Sequence, residues 1–257
     1  MSSPSRQAVV VSYARTGLAK AARGGFNDTP AMTLLGHAIQ HAVQRSGIDP
    51  REVEDVIAGC TVASGNVARA AALLAGLPVT TAGMTLNRAC SSGLNAIAIA
   101  ANHIIEGGAD VMVGGGVDSI SLSSSATAGG RDESLLQTHP AIWMPMIDTA
   151  DIVAERYGLS REYQDEYSLR SQKLMAAAQQ AGKFKDEIVP VKARKKTVDK
   201  ATQAVSYEEV TVDRDECNRP STTLEALASL EPVRGAGKFV TAGNASQLAD
   251  GAAAVVL

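Results

Sequence analysis

Aromatic residues make up only 4% of this chain, with a single tryptophan, so its core cannot be built on large rings. Alanine and glycine are plentiful instead, which suits helices packed closely on a sheet. Cysteine is scarce as well: Cys60, Cys90 and Cys217 stand far apart, odd in number and without a CxxC pair. That pattern indicates neither a disulfide framework nor a zinc site. No apolar run reaches the roughly 18 residues that span a bilayer, and the polar opening MSSPSRQ lacks the apolar stretch of a secretory signal. An excess of either charge is missing too, with 24 basic residues against 27 acidic ones and a net charge of −3. Such a balance leaves no electrostatic footprint for nucleic acid or for an anionic membrane surface. Taken together, these absences give the expectation of a cytoplasmic protein with reduced thiols that binds neither nucleic acid nor membrane.

What is present is a regular alternation. The 257 residues, 45% of them hydrophobic, are enough for one large domain or two. AVVVSY at 8–13 reads as a buried strand. Thr29 as cap and Pro30 at the first helical position then open a helix with Leu34, Leu35, Ala38, Ile39 and Ala42 on one face, ending at Gly47. A strand at 53–58, a helix at 67–75, a strand ending in Met84-Thr85-Leu86, a helix from Leu94 to Gly107 and a strand at 109–113 follow. This rhythm argues for an α/β fold whose mainly parallel sheet is covered on both faces. His37 and His41 fall four apart on the first helix, a spacing that can hold a metal, but no third ligand lies near them in sequence and side-chain packing is preferred.

The stretch Asn87-Arg88-Ala89-Cys90-Ser91-Ser92-Gly93 places Cys90 where a strand turns into a helix. The positive end of a helix dipole and its free N–H groups favour thiolate over thiol. The same N–H groups can hold a thioester oxygen as it becomes an oxyanion. Small neighbours at Ala89, Ser91, Ser92 and Gly93 leave the sulfur open to an acyl chain. The competing reading is an inert structural cysteine packed under a helix. Gly114–Gly116 reads as a close approach of backbone beside the nucleophile, since no GK[ST] follows to make it a phosphate loop.

From residue 119 the texture changes to SISLSSSATAGGRDES, and the α/β rhythm lapses until about residue 237, which reads as an insertion. Within it, helices are expected at 148–156 and at 161–181, the second capped by Ser160 and closed by Gly182, with strands at 188–193 and 205–212. Thr222 with Glu225 makes a capping box for a helix bearing Leu224, Leu227, Ala228 and Leu230. The basic run KARKKTVDK at 192–200 could meet phosphates, though a solvated loop surface is the commoner meaning of such a run. Val240–Ser246 then returns to the core sheet, and 252–257 is a last strand.

NRACSSG with the following ADVMVGGGVDS, SYARTG near the start and VTAGNASQLADGAAAVVL near the end together resemble the thiolases, acyl-CoA acyltransferases that make or cleave 3-oxoacyl-CoA. The resemblance runs from about Val9 to Leu257. It implies a thiolase-like N-terminal βαβαβ core with a mixed, mostly parallel sheet over 1–118, an inserted α+β loop domain over 119–237 that holds coenzyme A, and a return to the core over 238–257. Cys90 would be the nucleophile forming an acyl-cysteine intermediate, and Arg219, Ser246, Met146 and Ala242 would contact substrate or coenzyme. For Ser246, capping of a following helix is the alternative. Coenzyme A thioesters would be substrates, with no metal or redox cofactor. Two departures stand out: the loop TVASG is shorter than thiolases usually have near the subunit interface, and Pro145-Met146-Ile147 lacks the His of their HMG segment. The 3-oxoacyl carrier-protein synthases also carry a Cys followed by serines at such a turn, but the insertion and the TAGNAS ending favour the thiolase side. The family's base, its second cysteine and an Asn-bound water belong to a C-terminal half expected to be absent here, since none of His37, His41, His103 and His139 matches a base position. The complete enzyme would form a homo-oligomer. The alternative is a non-catalytic thiolase-like product that binds coenzyme A weakly or pairs with another chain.

Overall fold

The computed structural model describes residues 6–123 and 131–257. Among these residues eight strands and seven α-helices follow in the order β1 Ser12–Arg15, β2 Ala19–Lys20, α1 Ala31–Ser46, β3 Asp55–Gly59, α2 Val67–Leu74, β4 Ala82–Leu86, α3 Ser92–Ile105, β5 Met112–Asp118, α4 Glu133–Thr138, α5 Met146–Tyr157, α6 Arg161–Gln180, β6 Val191–Val198, β7 Val205–Val212, α7 Leu224–Ala228 and β8 Ala249–Val256. The described residues fall into two compact units, the first comprising 6–123, 184–217 and 248–257 and the second 131–183 and 218–247.

The first unit is an α/β layer built on a six-stranded sheet in the order β1-β8-β5-β3-β4, with β2 also on β8. β3 pairs in parallel with β4 and β5, whereas β8 runs antiparallel to β5, β1 and β2. Five strands therefore point one way and β8 alone opposes them. Side chains alternate across the sheet: Val56 and Ala58 of β3 join α1 and α2 in one core cluster, while Ile57 joins Ala96, Ala100 and Ile104 of α3 in another. Both faces thus carry helices, as the alternation of elements requires. α3 still keeps Leu94 and Ile105 exposed.

Several boundaries move from their expected places. β1 starts at Ser12 because its ladder with β8 begins at Ser12↔Val256, and Val9, Val10 and Val11 stay exposed before it. α1 has Pro30 at its cap with φ −62° and ψ 145° and no side-chain cap bond, so Thr29 does not cap it. β5 begins at Met112 and carries Gly114–Gly116 inside the strand, where a run of glycines had read as its end. The basic run is strand rather than loop: β6 pairs with β7 so that Arg194 faces Glu209 and Lys195 faces Glu208, and Lys195 reaches Glu208 at 3.1 Å. Arg194 bonds Asp28 at 3.0 Å and lies over Tyr207. This hairpin sits in the first unit, where Arg15 bonds Glu187 and Asp215, so the expected insertion over 119–237 does not coincide with a compact unit. The rings of His37 and His41 are tilted by 57° with centroids 4.5 Å apart, and burial pushes both imidazoles below their usual pKa, the charge of His41 adding to it at His37 and that of Arg45 at His41.

The second unit is helical. Ser160 caps α6 by accepting from Tyr163 N–H, as its position predicts, and the true cap of α7 is Thr223, which accepts from Ala226 N–H. Thr222 instead donates to the Arg219 carbonyl, which corrects the capping box. Val240–Ser246 forms turns in this unit and no strand of the core sheet, whose last strand starts at Ala249. Much of the polar stretch after Ser119, at 124–130, lies outside the described residues. Among the described residues no helix is long and apolar enough to cross a membrane.

Candidate active site

Cys90 lies between the end of β4 and the first turn of α3 and is exposed. The chain reaches it through Ala89 at φ +47°, a left-handed conformation that costs a non-glycine residue about 1 kcal/mol or more. Hydrogen bonds hold that conformation from both sides. Ala89 N–H donates to Asn87 Oδ1 at 2.9 Å, and Ser92 Oγ donates to the Ala89 carbonyl at 2.6 Å while accepting from Arg88 N–H at 2.8 Å. Ser92 is buried and acts as the pin of the elbow. Arg88 bonds Asn95 Oδ1 at 2.7 Å, one further tie to α3.

Glycines let the helix come this close to the sheet. A Cβ on Gly59 would stand 2.6 Å from Gly93 N, and one on Gly114 would stand 2.9 Å from the Ile97 Cα, so any side chain there would push α3 away. The expected close approach beside Cys90 is therefore what the glycine strand provides. The result is a pocket of about 430 Å³ lined by Cys90, Gly93, Gly115, Gly116 and Ala253, with Thr61 and Asp118 among its polar walls. Cys90 sits at the N-terminal end of α3, where first-turn N–H groups have no intrahelical partner. A thiol placed there can attack a carbonyl whose oxygen those groups stabilise.

Arg15 and Asp215 line the same pocket. Burial alone would weaken the charge on Arg15, but hydrogen bonds to Asp215 and Glu187 outweigh it and raise its pKa. Of these residues the sequence singled out only Ser92, as a small neighbour of Cys90; Arg15, Asp215, Asp118 and Thr61 had no role assigned. The one signal was positional: Asp118 closes a parallel strand, the edge at which α/β sheets gather functional groups.

The other residues expected at the site lie in the second unit. Met146 opens α5 and is 71% exposed, and Arg219, Ala242 and Ser246 are exposed as well. Arg219 is anchored through its N–H to Gln172 Oε1 at 2.8 Å. Two buried carboxylates fix the turn that carries Ala242 and Ser246. Asp151 accepts from Phe239 and Val240 N–H, and Asp165 accepts from Asn244, whose own Oδ1 holds Thr241 N–H at 2.7 Å. No helix follows Ser246, so the helix-capping alternative for its hydroxyl falls away.

The three thiols differ in a way that alkylation reads. Burial raises the pKa of Cys60 and of Cys217, lowering their thiolate fraction near neutral pH, and Cys60 is also closed off from solvent. Iodoacetamide at neutral pH is expected to modify Cys90 first and Cys60 last. Peptide mass mapping checks this, and faster labelling of Cys60 or Cys217 in folded protein would contradict it.

Comparison with known proteins bears on family and fold. The model of the "Thiolase, N-terminal domain" family matches residues 8–257. The chain is 40% identical to 3-ketoacyl-CoA thiolase 2, peroxisomal, of Arabidopsis thaliana, covering 97% of this chain and 54% of that protein. It is also 40% identical to 3-ketoacyl-CoA thiolase A, peroxisomal, of Mus musculus, covering 97% and 59%. The crystal structure of the Bacillus anthracis acetyl-CoA acetyltransferase superposes with a TM-score of 0.82 at 33% identity, over 100% of this chain and 66% of that one. The chain thus spans a little over half the length of these curated relatives. Two of their names give a peroxisomal location, not the cytoplasmic one expected from composition. A family match over 8–257 and a shared fold at 33% identity lead to one conclusion: the chain belongs to the thiolase family and carries its N-terminal domain.

Proposed function

We propose that this chain serves an acyltransferase that forms or cleaves 3-oxoacyl-CoA, and that Cys90 is its nucleophile. The observation that carries the reading is the exposed Cys90 at a pinned strand-to-helix elbow, opening on a glycine-walled pocket. The Cys90 sulfur attacks the thioester carbonyl, the carbon to coenzyme-sulfur bond breaks, and coenzyme A leaves as a thiolate that takes up a proton. In the forming direction the acyl-cysteine then passes its acyl group to an acetyl-CoA carbanion; in the cleavage direction Cys90 instead attacks the 3-oxo carbon, the bond between C2 and C3 breaks, the departing acetyl-CoA carbanion takes up a proton, and the acyl group passes to coenzyme A. The coenzyme is substrate throughout, and the reaction so read needs no metal or redox group.

Among the described residues none of the four histidines lines the Cys90 pocket. We assign to these residues the acylation step, while proton transfer to and from the second acyl unit requires a base supplied by another segment or chain. A homo-oligomer of the complete enzyme and a cytoplasmic location belong to the same reading. The test is covalent: acetyl-CoA is expected to acetylate the wild-type chain and not the Cys90→Ala variant. Equal acetylation of both would end the assignment.

For the second unit, we propose coenzyme contacts at Arg219, Ser246, Met146 and Ala242. The support is the exposure of all four, together with the anchoring of the Arg219 backbone by Gln172 and of the turn that carries Ala242 and Ser246 by Asp151 and Asp165. A charge-assisted bond from Arg219 is worth about 1.5 to 3 kcal/mol, so Arg219→Ala is expected to weaken coenzyme A binding about tenfold or more. Calorimetry showing unchanged affinity would remove Arg219 from the site.

A further inference from the structure

β3, β4 and β5 run parallel, so their C-terminal ends share one edge of the sheet. Three pieces of chain meet there: residues 60–62 after β3, the elbow at 87–91 after β4, and Asp118 at the last position of β5. Asp118 gathers four donors from the first of these. Its Oδ1 accepts from Thr61 N–H at 2.8 Å, Val62 N–H at 3.2 Å and the Cys60 thiol at 3.4 Å, and its Oδ2 accepts from Thr61 Oγ1 at 2.6 Å. A carboxylate so engaged fixes the turn through charge-assisted bonds. The Thr61 carbonyl in turn accepts from Asn87 Nδ2 at 3.5 Å, and Asn87 Oδ1 holds Ala89 N–H. A continuous path therefore leads from Asp118 to the one strained residue of the elbow. Backbone strain of this kind persists only where its surroundings over-determine it. Ser92 supplies one hold on Ala89, and the Asp118 path supplies the other.

We propose that Asp118 is a positioning residue for Cys90, acting through Thr61 and Asn87 to keep Ala89 left-handed and the thiol facing the pocket. This rests on the reading of Cys90 as the reactive thiol. Asp118 and Thr61 line that pocket beside Cys90, so the path runs along its wall. Stabilising the turn at 60–62 alone and transmitting that hold to Ala89 differ in one respect: only the second depends on Asn87.

A double-mutant cycle separates them. The alkylation rate of Cys90 by iodoacetamide is measured across pH for wild type, Asp118→Asn, Asn87→Ala and the double variant, with Cys217 as internal reference and urea unfolding as a check on the fold. Each single change is expected to lower the Cys90 rate about three- to tenfold, and the double variant to match the singles and not their product, because contacting residues of one network are non-additive. Multiplicative effects, or an Asp118→Asn rate and pH profile equal to wild type, would overturn the proposal. If Asp118→Asn does not fold, Thr61→Val removes only the hydroxyl donor to Oδ2. Its smaller fall in rate must then vanish in the Asn87→Ala background, and persistence there would be equally fatal. Coupling seen in alkylation without any acetylation by acetyl-CoA would leave the positioning role standing and remove only the acyl-transfer reading.

Discussion

Thiolysis of acetoacetyl-CoA by the purified 257-residue chain is expected to run about 10⁴-fold or more below a full-length relative. A positioned general base typically contributes about 10²- to 10⁴-fold, and a lost oxyanion-hole donor costs about 10²- to 10³-fold. Neither a histidine nor a second cysteine lines the Cys90 pocket among the described residues. Thiolysis must release an acetyl-CoA carbanion and supply it with a proton, so it is expected to fail, while acylation of Cys90 by a simple thioester, which breaks only a carbon–sulfur bond, survives slowly. Adding a separately made C-terminal segment of a thiolase is expected to restore part of the rate. Robust turnover by the chain alone would mean that a base is supplied from within it, and the division of labour proposed above would fail.

Replacing Gly59 by Val is expected to be the most damaging single change to both fold and site. The new Cβ would meet Ser92 and stand 2.6 Å from Gly93 N, atoms of the backbone and the pinning serine that cannot swing aside. Overpacking usually costs about 1 to 3 kcal/mol and occasionally more, and here the strain falls on a central strand flanked by β4 and β5. A loss of about 3 kcal/mol in urea unfolding is expected, together with loss of the preference for Cys90 over Cys217 in alkylation. Near wild-type stability with intact preference would show that α3 does not need its close seat on β3.

The elbow was legible because its signals are local. A strand end, a run of small residues and helical periodicity all lie within 84–107, and the structure joins them at Cys90 in that order. The glycine strand was misjudged for a local reason as well: glycines normally end an element, and only the neighbours β3, β8 and α3 make Gly114–Gly116 a strand interior. The hairpin β6–β7 was readable in part: the strand expected at 205–212 is β7, and Val191 and Ala193, buried between exposed Lys192 and Arg194, fall in the strand expected at 188–193, whose continuation to Val198 the charge of the run concealed. Its membership in the first unit was not readable, because the bonds of Arg15 to Glu187 and Asp215 join residues 172 and 200 positions apart. The same holds for Asp118 and Thr61, which meet across 57 positions. Residues that hold Cys90 are thus set by the pairing of distant strands, whereas Cys90 announces itself in its own neighbourhood.

The account turns on one sulfur atom, and competition for it is the most direct measurement. The chain is treated with isotope-labelled acetyl-CoA, then with excess iodoacetamide, and intact mass and peptide mapping count both adducts. Each acetyl group on the peptide bearing Cys90 is expected to exclude one carbamidomethyl group from that same residue, with Cys60 and Cys217 unacetylated. Acetyl label on another residue, or molecules carrying both an acetyl group and an alkylated Cys90, would contradict the assignment of Cys90 as the acyl acceptor.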